Sequence, residues 1–188
     1  MKNDRLMNYR EYKQQVIEHY SSIWNNVPVV KYFGKGPIEK LPSGFCILEF
    51  PPTQNQNMWT YATCCMSKMD DVQPIELHMY SPKQSPEPLE LLTAITDYHV
   101  IGKKLNLNHT VNFGKDPICT YGLISLPYLD GVKLENLQVE DKVAKFYWLI
   151  PITEKERDFK IKNGIEALEK KFEATQFNYA DNHRKSVV

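Results

Sequence analysis

The chain has no net charge to speak of. Lys+Arg and Asp+Glu both number 23, so the formal net charge is zero. A nucleic-acid binder shows a basic excess or stripe, and these totals show none. No apolar run approaches the ~18 residues of a membrane span. Met1 leads into KNDRLMNYREYK, polar from the start. No apolar h-region follows, so no secretory signal is read. No CxxC pair occurs. The four cysteines are Cys46, Cys64, Cys65 and Cys119, and their spacing fits neither a zinc ribbon nor a thioredoxin-like motif. They are expected to be buried small hydrophobes in a reducing compartment, and the expected location is the cytoplasm. There the match of Asn108-His109-Thr110 to a glycosylation sequon is accidental. Glycine-rich phosphate loops are missing too. Gly34-Lys35-Gly36 runs into Pro37 rather than a helix, and Phe113-Gly114-Lys115 is equally short.

What is present is an ordinary globular mix, 42% hydrophobic and 24% charged over 188 residues. That is long enough for one domain with a sizeable core. Residues 6–24 read as an amphipathic helix: Tyr9, Tyr12, Val16, Tyr20, Ile23 and Trp24 step by three or four. Residues 27–33 form a short strand candidate, followed by turns at 34–37 and 41–44. Residues 45–50 and 58–65 have the β-branched and aromatic content of strands. Between them Pro51-Pro52 must leave the ladder and open the polar loop TQNQN. In residues 74–80, Ile75, Leu77 and Met79 alternate with Glu76, His78 and Tyr80, a third strand with His78 expected toward solvent or a local hydrogen bond. Residues 88–101 form a helix with Pro88 in its first turn and Gly102 as its stop.

Residues 106–117 read as a polar loop, and 118–129 and 144–152 as the last strands. Phe146-Tyr147-Trp148-Leu149-Ile150 fits a central strand buried on both faces. Thr153 and Glu156 form a capping box for a final helix reaching about Thr175. Gly164 invites a bend there, at a cost of about 1 kcal/mol relative to Ala. The tail is expected to pack back through Phe177, Tyr179 and Val187. The expected fold is α+β, one domain over residues 1–188. Its mixed, largely antiparallel sheet has about six strands, flanked by about three helices, because clustered strands do not give regular βαβ alternation. The first helix occupies 1–25 and the last 154–175.

Reactive constellations are sparse. Cys119, His109 and Asp116 contain the residue types of a thiol nucleophile, base and orienting acid, but Ile118-Cys119-Thr120-Tyr121 is a strand-like setting that favours packing. His78, His99 and His109 lack any HExxH or HxH spacing, so no metal or other cofactor is expected. The basic residues of 154–175 are interleaved with glutamates, a solvated face. The recognition-type surface consists of loops 53–57, 106–116 and 128–131, rich in aromatic and polar residues.

Four blocks resemble the suppressor-of-fused domain family. They are residues 41–67 (LPSGFCILEFPPTQNQNMWTYATCCMS), 76–98 (ELHMYSP…ELLTAITDY), 107–131 (LNHTVNFG…YGLISLPYLDG) and 146–159 (FYWLIPITEKERDF). With the ending 181–188 they span most of the chain in the family's order. Bacterial members of this family are similar to immunity proteins of LXG-type polymorphic toxin systems. The resemblance therefore implies a suppressor-of-fused-like fold and a non-enzymatic cytoplasmic antitoxin. Its partner would be a cognate toxin protein such as a nuclease, with no nucleic acid and no membrane bound directly.

A nuclease channel is basic, so carboxylates on a rigid surface could fill it and speed association. Candidates are Asp70, Asp71, Glu87, Glu90, Asp116 and Asp130, joined by the loop residues Gln54, Asn55, Gln56, Asn57, His109 and Asn112. Two other readings stand beside this one. One is a regulatory scaffold that adds a peptide of an endogenous protein to a sheet edge. The other is an enzyme dependent on Cys119.

Overall fold

A computed structural model describes residues 8–34, 38–68, 70–114 and 119–188 of the chain. The chain begins with α1 (Tyr9–Trp24), whose cap is a capping box between Asn8 and Glu11. Tyr12, Val16 and Tyr20, four residues apart, form its buried stripe. A short strand β1 (Val29–Lys31) and a 3-10 turn (Ile38–Lys40) lead to β2 (Cys46–Phe50), β3 (Trp59–Cys64) and β4 (Ile75–Ser81). Helix α2 (Glu87–Ile101) follows, with Pro88 in its first turn. Then come β5 (Thr110–Asn112), β6 (Tyr121–Ser125), β7 (Asn136–Val139) and β8 (Lys142–Ile152). Two helices, α3 (Glu154–Asn163) and α4 (Ile165–Thr175), close the order.

The strands form one sheet, ordered β1-β2-β3-β4-β8-β6-β5, with β7 paired to β8 off this path. Among the described residues only β4 and β8 run parallel; the other pairs are antiparallel. The expected mixed, largely antiparallel sheet is thus present, with eight strands instead of six and four α-helices instead of three among the described residues. The additions have simple causes. β5 lies inside the stretch read as a polar loop, and β7 is a half-exposed segment too polar to stand out. The final helix is two helices because Gly164, at φ 88°, breaks it.

β8 organises the layers. Phe146, Trp148, Ile150 and Ile152 point to one face, while Tyr147 and Leu149 point to the other. α1 covers the first face at one end, against Phe50 and Phe146. α4 and the tail cover the same face further along, through Leu168, Phe172, Phe177, Tyr179 and Val187. α2 covers the opposite face, with Leu92 and Ile95 on Leu77, Met79 and Leu149. Gly122 lies under Phe113, and a methyl group there would come within 2.6 Å of that ring and 2.7 Å of Leu149. Phe113 is therefore a core plug seated on β6.

The alternation of β4 is real, but its polar face is not a surface. Glu76, His78 and Tyr80 are all buried, and His78 has no exposed area. The expectation that His78 meets solvent is corrected by the second layer. α1 packs over that face, and polar side chains there must find partners inside.

Candidate functional site

The groups that could carry chemistry are mostly consumed by the fold. His78 Nε2 lies 3.1 Å from Asp130 Oδ2, off the straight line a hydrogen bond prefers. Asp130 Oδ1 accepts from Trp24 Nε1 at 2.6 Å, and the Tyr80 hydroxyl donates to both its oxygens at 2.7 and 2.8 Å. Burial alone would raise this carboxyl, but His78, Tyr80 and Trp24 together hold it below the usual value. Asp130 thus ties α1, β4 and the loop after β6 together. Its side chain is 4% exposed, which corrects its reading as a carboxylate offered to a partner.

His99 is also occupied. Its Nδ1 accepts the Leu105 N–H at 3.0 Å, so in the neutral ring the proton sits on Nε2. Nε2 faces Ser67 Oγ at 3.4 Å and Asp71 at 3.8 Å. Ser67 Oγ accepts from Ile75 N at 2.8 Å and bonds Ile75 O at 3.2 Å. A protonated Nε2 cannot take the Ser67 proton, so this trio bridges loop and strand rather than forming a nucleophile and base. Burial, then the charge of Lys104, pushes the ring down to about 4.

Cys119 is fully buried, and burial pushes its thiol up to about 11. Such a thiol is not a thiolate near neutral pH. His109 is exposed, and Asp116 lies outside the described residues. Cys46, Cys64 and Cys65 are buried and free, as expected of packed cysteines. Among the described residues no cluster of three His, Cys, Asp or Glu could hold a metal ion. No helix among them is long and apolar enough to cross a membrane.

The sequence-predicted binding residues fall in separate places. Gln54, Asn55 and Asn57 are exposed and Gln56 half-buried on the β2–β3 connection, which Thr53 and Gln56 close by two hydrogen bonds of 2.7 and 3.2 Å. Glu87 and Glu90 are exposed at the start of α2, and Glu87 accepts a bond from Asn182 at 3.3 Å. Asn112 is exposed on β5 and accepts the Gly114 N–H. Asp70, Asp71 and His109 do come together, around a cavity of about 590 Å³ that also holds Lys68 and Lys104. Asp71 is only 13% exposed and already paired with Lys104 at 2.7 Å, so this cavity is mixed in sign.

Sequence reasoning missed a different concavity. Between β6, β8 and α4 lies a groove of about 430 Å³ walled by Trp148, Phe172, Phe177 and Tyr179, with Glu169 and Glu173 in its lining. Tyr128 and Leu129, from the loop singled out for recognition, form its lip and are 61% and 49% exposed. Glu169 accepts a bond from the Tyr128 hydroxyl at 3.3 Å. Burial, then Glu169, Glu135 and Glu173, raises that hydroxyl above its ordinary value. The signal in the sequence was Glu169 and Glu173 flanking Phe172 at helical spacing. It was hidden because the lysines of the same segment interleave with them.

The geometry has known relatives. The family described as Suppressor of fused protein (SUFU) matches residues 42–185. A SUFU homolog from Neisseria gonorrhoeae, solved as a crystal structure, superimposes with a TM-score of 0.81 at 30% identity, covering 95% of this chain and 98% of that one. A crystal structure of the Sufu-Fu complex gives a TM-score of 0.70 at 13% identity, over 94% of this chain and 92% of that one. Drosophila Suppressor of Fused gives 0.63 at 13% identity, over 92% of this chain and 50% of that one. Comparison with curated protein sequences found no match. The family match over most of the chain and the full-length likeness to the Neisseria homolog show that this chain belongs to the suppressor of fused family.

Proposed function

We propose that this chain is a stoichiometric protein-binding domain that works as a cytoplasmic immunity protein, neutralising a cognate toxin by covering it. The observation that carries this reading is a division of labour. Cys119, His78, His99 and Asp130 are built into the core, while exposed apolar residues and carboxylates border the groove beside Tyr128. A solved relative is a complex of Sufu with Fu, which supports partner binding as the family's mode of action. A nuclease suits the role, because its basic channel complements surface carboxylates. The exposed carboxylates Asp70, Glu87 and Glu90, with Gln54–Asn57 beside β3, remain candidate contacts. The test is co-expression with the toxin encoded beside the gene. Cells should survive only with this protein present, and equal killing with and without it sinks the reading.

A second reading has its own observation. β1 is a sheet edge, and around it Val27, Val29, Val30 and Tyr32 are 79%, 52%, 39% and 69% exposed. An apolar edge invites a partner strand. Here the partner is a peptide of an endogenous protein. Val29→Lys/Val30→Lys separates the readings, since edge lysines block strand addition. Toxin neutralisation is expected to survive this change. Its loss would move the contact to the sheet edge.

A further inference from the structure

The groove between β6, β8 and α4 is chemically one-sided. Its walls are aromatic: Trp148, Phe172, Phe177 and Tyr179. Its charged lining residues are Glu169 and Glu173, and among the described residues no lysine, arginine or histidine lines it. A neighbouring guanidinium, that of Arg184, is committed to Glu156 by bonds of 2.6 and 2.8 Å. That guanidinium lies 4.8 Å from the Phe177 ring centroid, so the fold already uses this aromatic layer to hold a cation. Trp148 is 4% exposed, and its Nε1 donor meets no acceptor among the described residues. Aromatic faces attract cations, and carboxylates beside them exclude anions.

We propose that this groove takes a long cationic side chain, arginine or lysine, presented by a protein partner. The methylene stem lies on the half-buried rings of Phe177 and Tyr179, and the charged tip reaches Glu169 and Glu173. The exposed lip of Tyr128 and Leu129 covers the flanking residues of the partner's segment. The inference rests on the protein-binding reading above only in taking the occupant from a protein. It does not require a toxin.

The probe is an acetylated, amidated octapeptide of alternating leucine and arginine, titrated into the full chain labelled with 15N. The assigned indole N–H signal of Trp148 should shift saturably. Binding should weaken roughly tenfold in Glu169→Gln/Glu173→Gln, and similarly when citrulline replaces arginine. Both glutamates sit on the surface of α4, so the variant is expected to fold, which its full amide spectrum checks. An unmoved indole signal, unchanged affinity in the double variant, or equal affinity for the citrulline peptide overturns the proposal. Free L-arginine binding as tightly as the peptide also overturns it, by making this a small-molecule site. No peptide binding to the unmodified chain, with toxin protection present, removes the groove and leaves the immunity reading intact. Peptide binding without protection does the reverse.

Discussion

Replacing Arg184 with leucine is expected to cost about 3–5 kcal/mol, because it leaves the buried Glu156 carboxylate unpaired. Glu156 has no exposed side-chain area and Arg184 has 5%. The guanidinium forks onto both carboxylate oxygens at 2.6 and 2.8 Å and also donates to Pro151 O at 2.9 Å. The same carboxylate accepts the Thr153 N–H at 2.8 Å and the Val187 N–H at 2.9 Å. One side chain therefore caps α3, ends β8 and straps the tail down. Urea unfolding should show the loss as a lower midpoint, and adding Glu156→Gln should recover part of it by removing the stranded charge. A single-variant loss below about 1 kcal/mol would mean the tail is held by its apolar contacts instead.

The pH dependence of this strap has a definite sign. Burial alone would raise the Glu156 carboxyl, but the Arg184 bonds and the two backbone donors hold it below its ordinary value. A depressed carboxyl contributes stability above its unfolded value, and that contribution is lost as pH falls through the folded one. The tail should loosen only in acid, below about pH 4.

Glu76 is expected to behave oppositely, and with comparable size. It is fully buried near the start of β4, and burial outweighs its hydrogen bonds, pushing its carboxyl up to about 7. The Tyr12 hydroxyl donates to it at 3.0 Å, the Met66 N–H at 3.2 Å, and Thr63 through its hydroxyl. The folded value lies above the unfolded one, so the protonated carboxyl is favoured by folding. Its contribution is fully present below about pH 4.3 and is lost as pH rises through about 7. Stability should therefore fall by an amount on the order of 3 kcal/mol between about pH 5 and 8. Glu76→Gln should flatten that slope, and Glu76→Ala should cost several kcal/mol at any pH by orphaning three buried donors. A flat wild-type profile over the same window would show that the carboxyl titrates normally.

Much of this architecture was legible before the fold was known. The α1 stripe of Tyr12, Val16 and Tyr20, the Thr153–Glu156 capping box and the return of Phe177 and Tyr179 all appear where local rules place them. The candidate site was less legible. The loop 128–131 was marked for recognition, yet its carboxylate turned inward while Tyr128 and Leu129 turned outward. Asp130 looks like any loop aspartate until Trp24, His78 and Tyr80 are brought to it from 106, 52 and 50 residues away.

Sequence alone determined the elements that depend on near neighbours: helical stripes, caps, strand alternation, chain-breaking prolines and the ordered blocks of the suppressor of fused family. Tertiary structure alone decided what the polar residues are for. Periodicity reports which residues share a face, but not whether a second layer covers that face. Only the parallel pairing of β4 with β8, with α1 and α4 over both, made Glu76 and His78 interior groups. The same arrangement set Glu169 and Glu173 beside an aromatic groove. Charge balance written along the chain is blind to that, because lysines next to those glutamates in sequence do not line the groove.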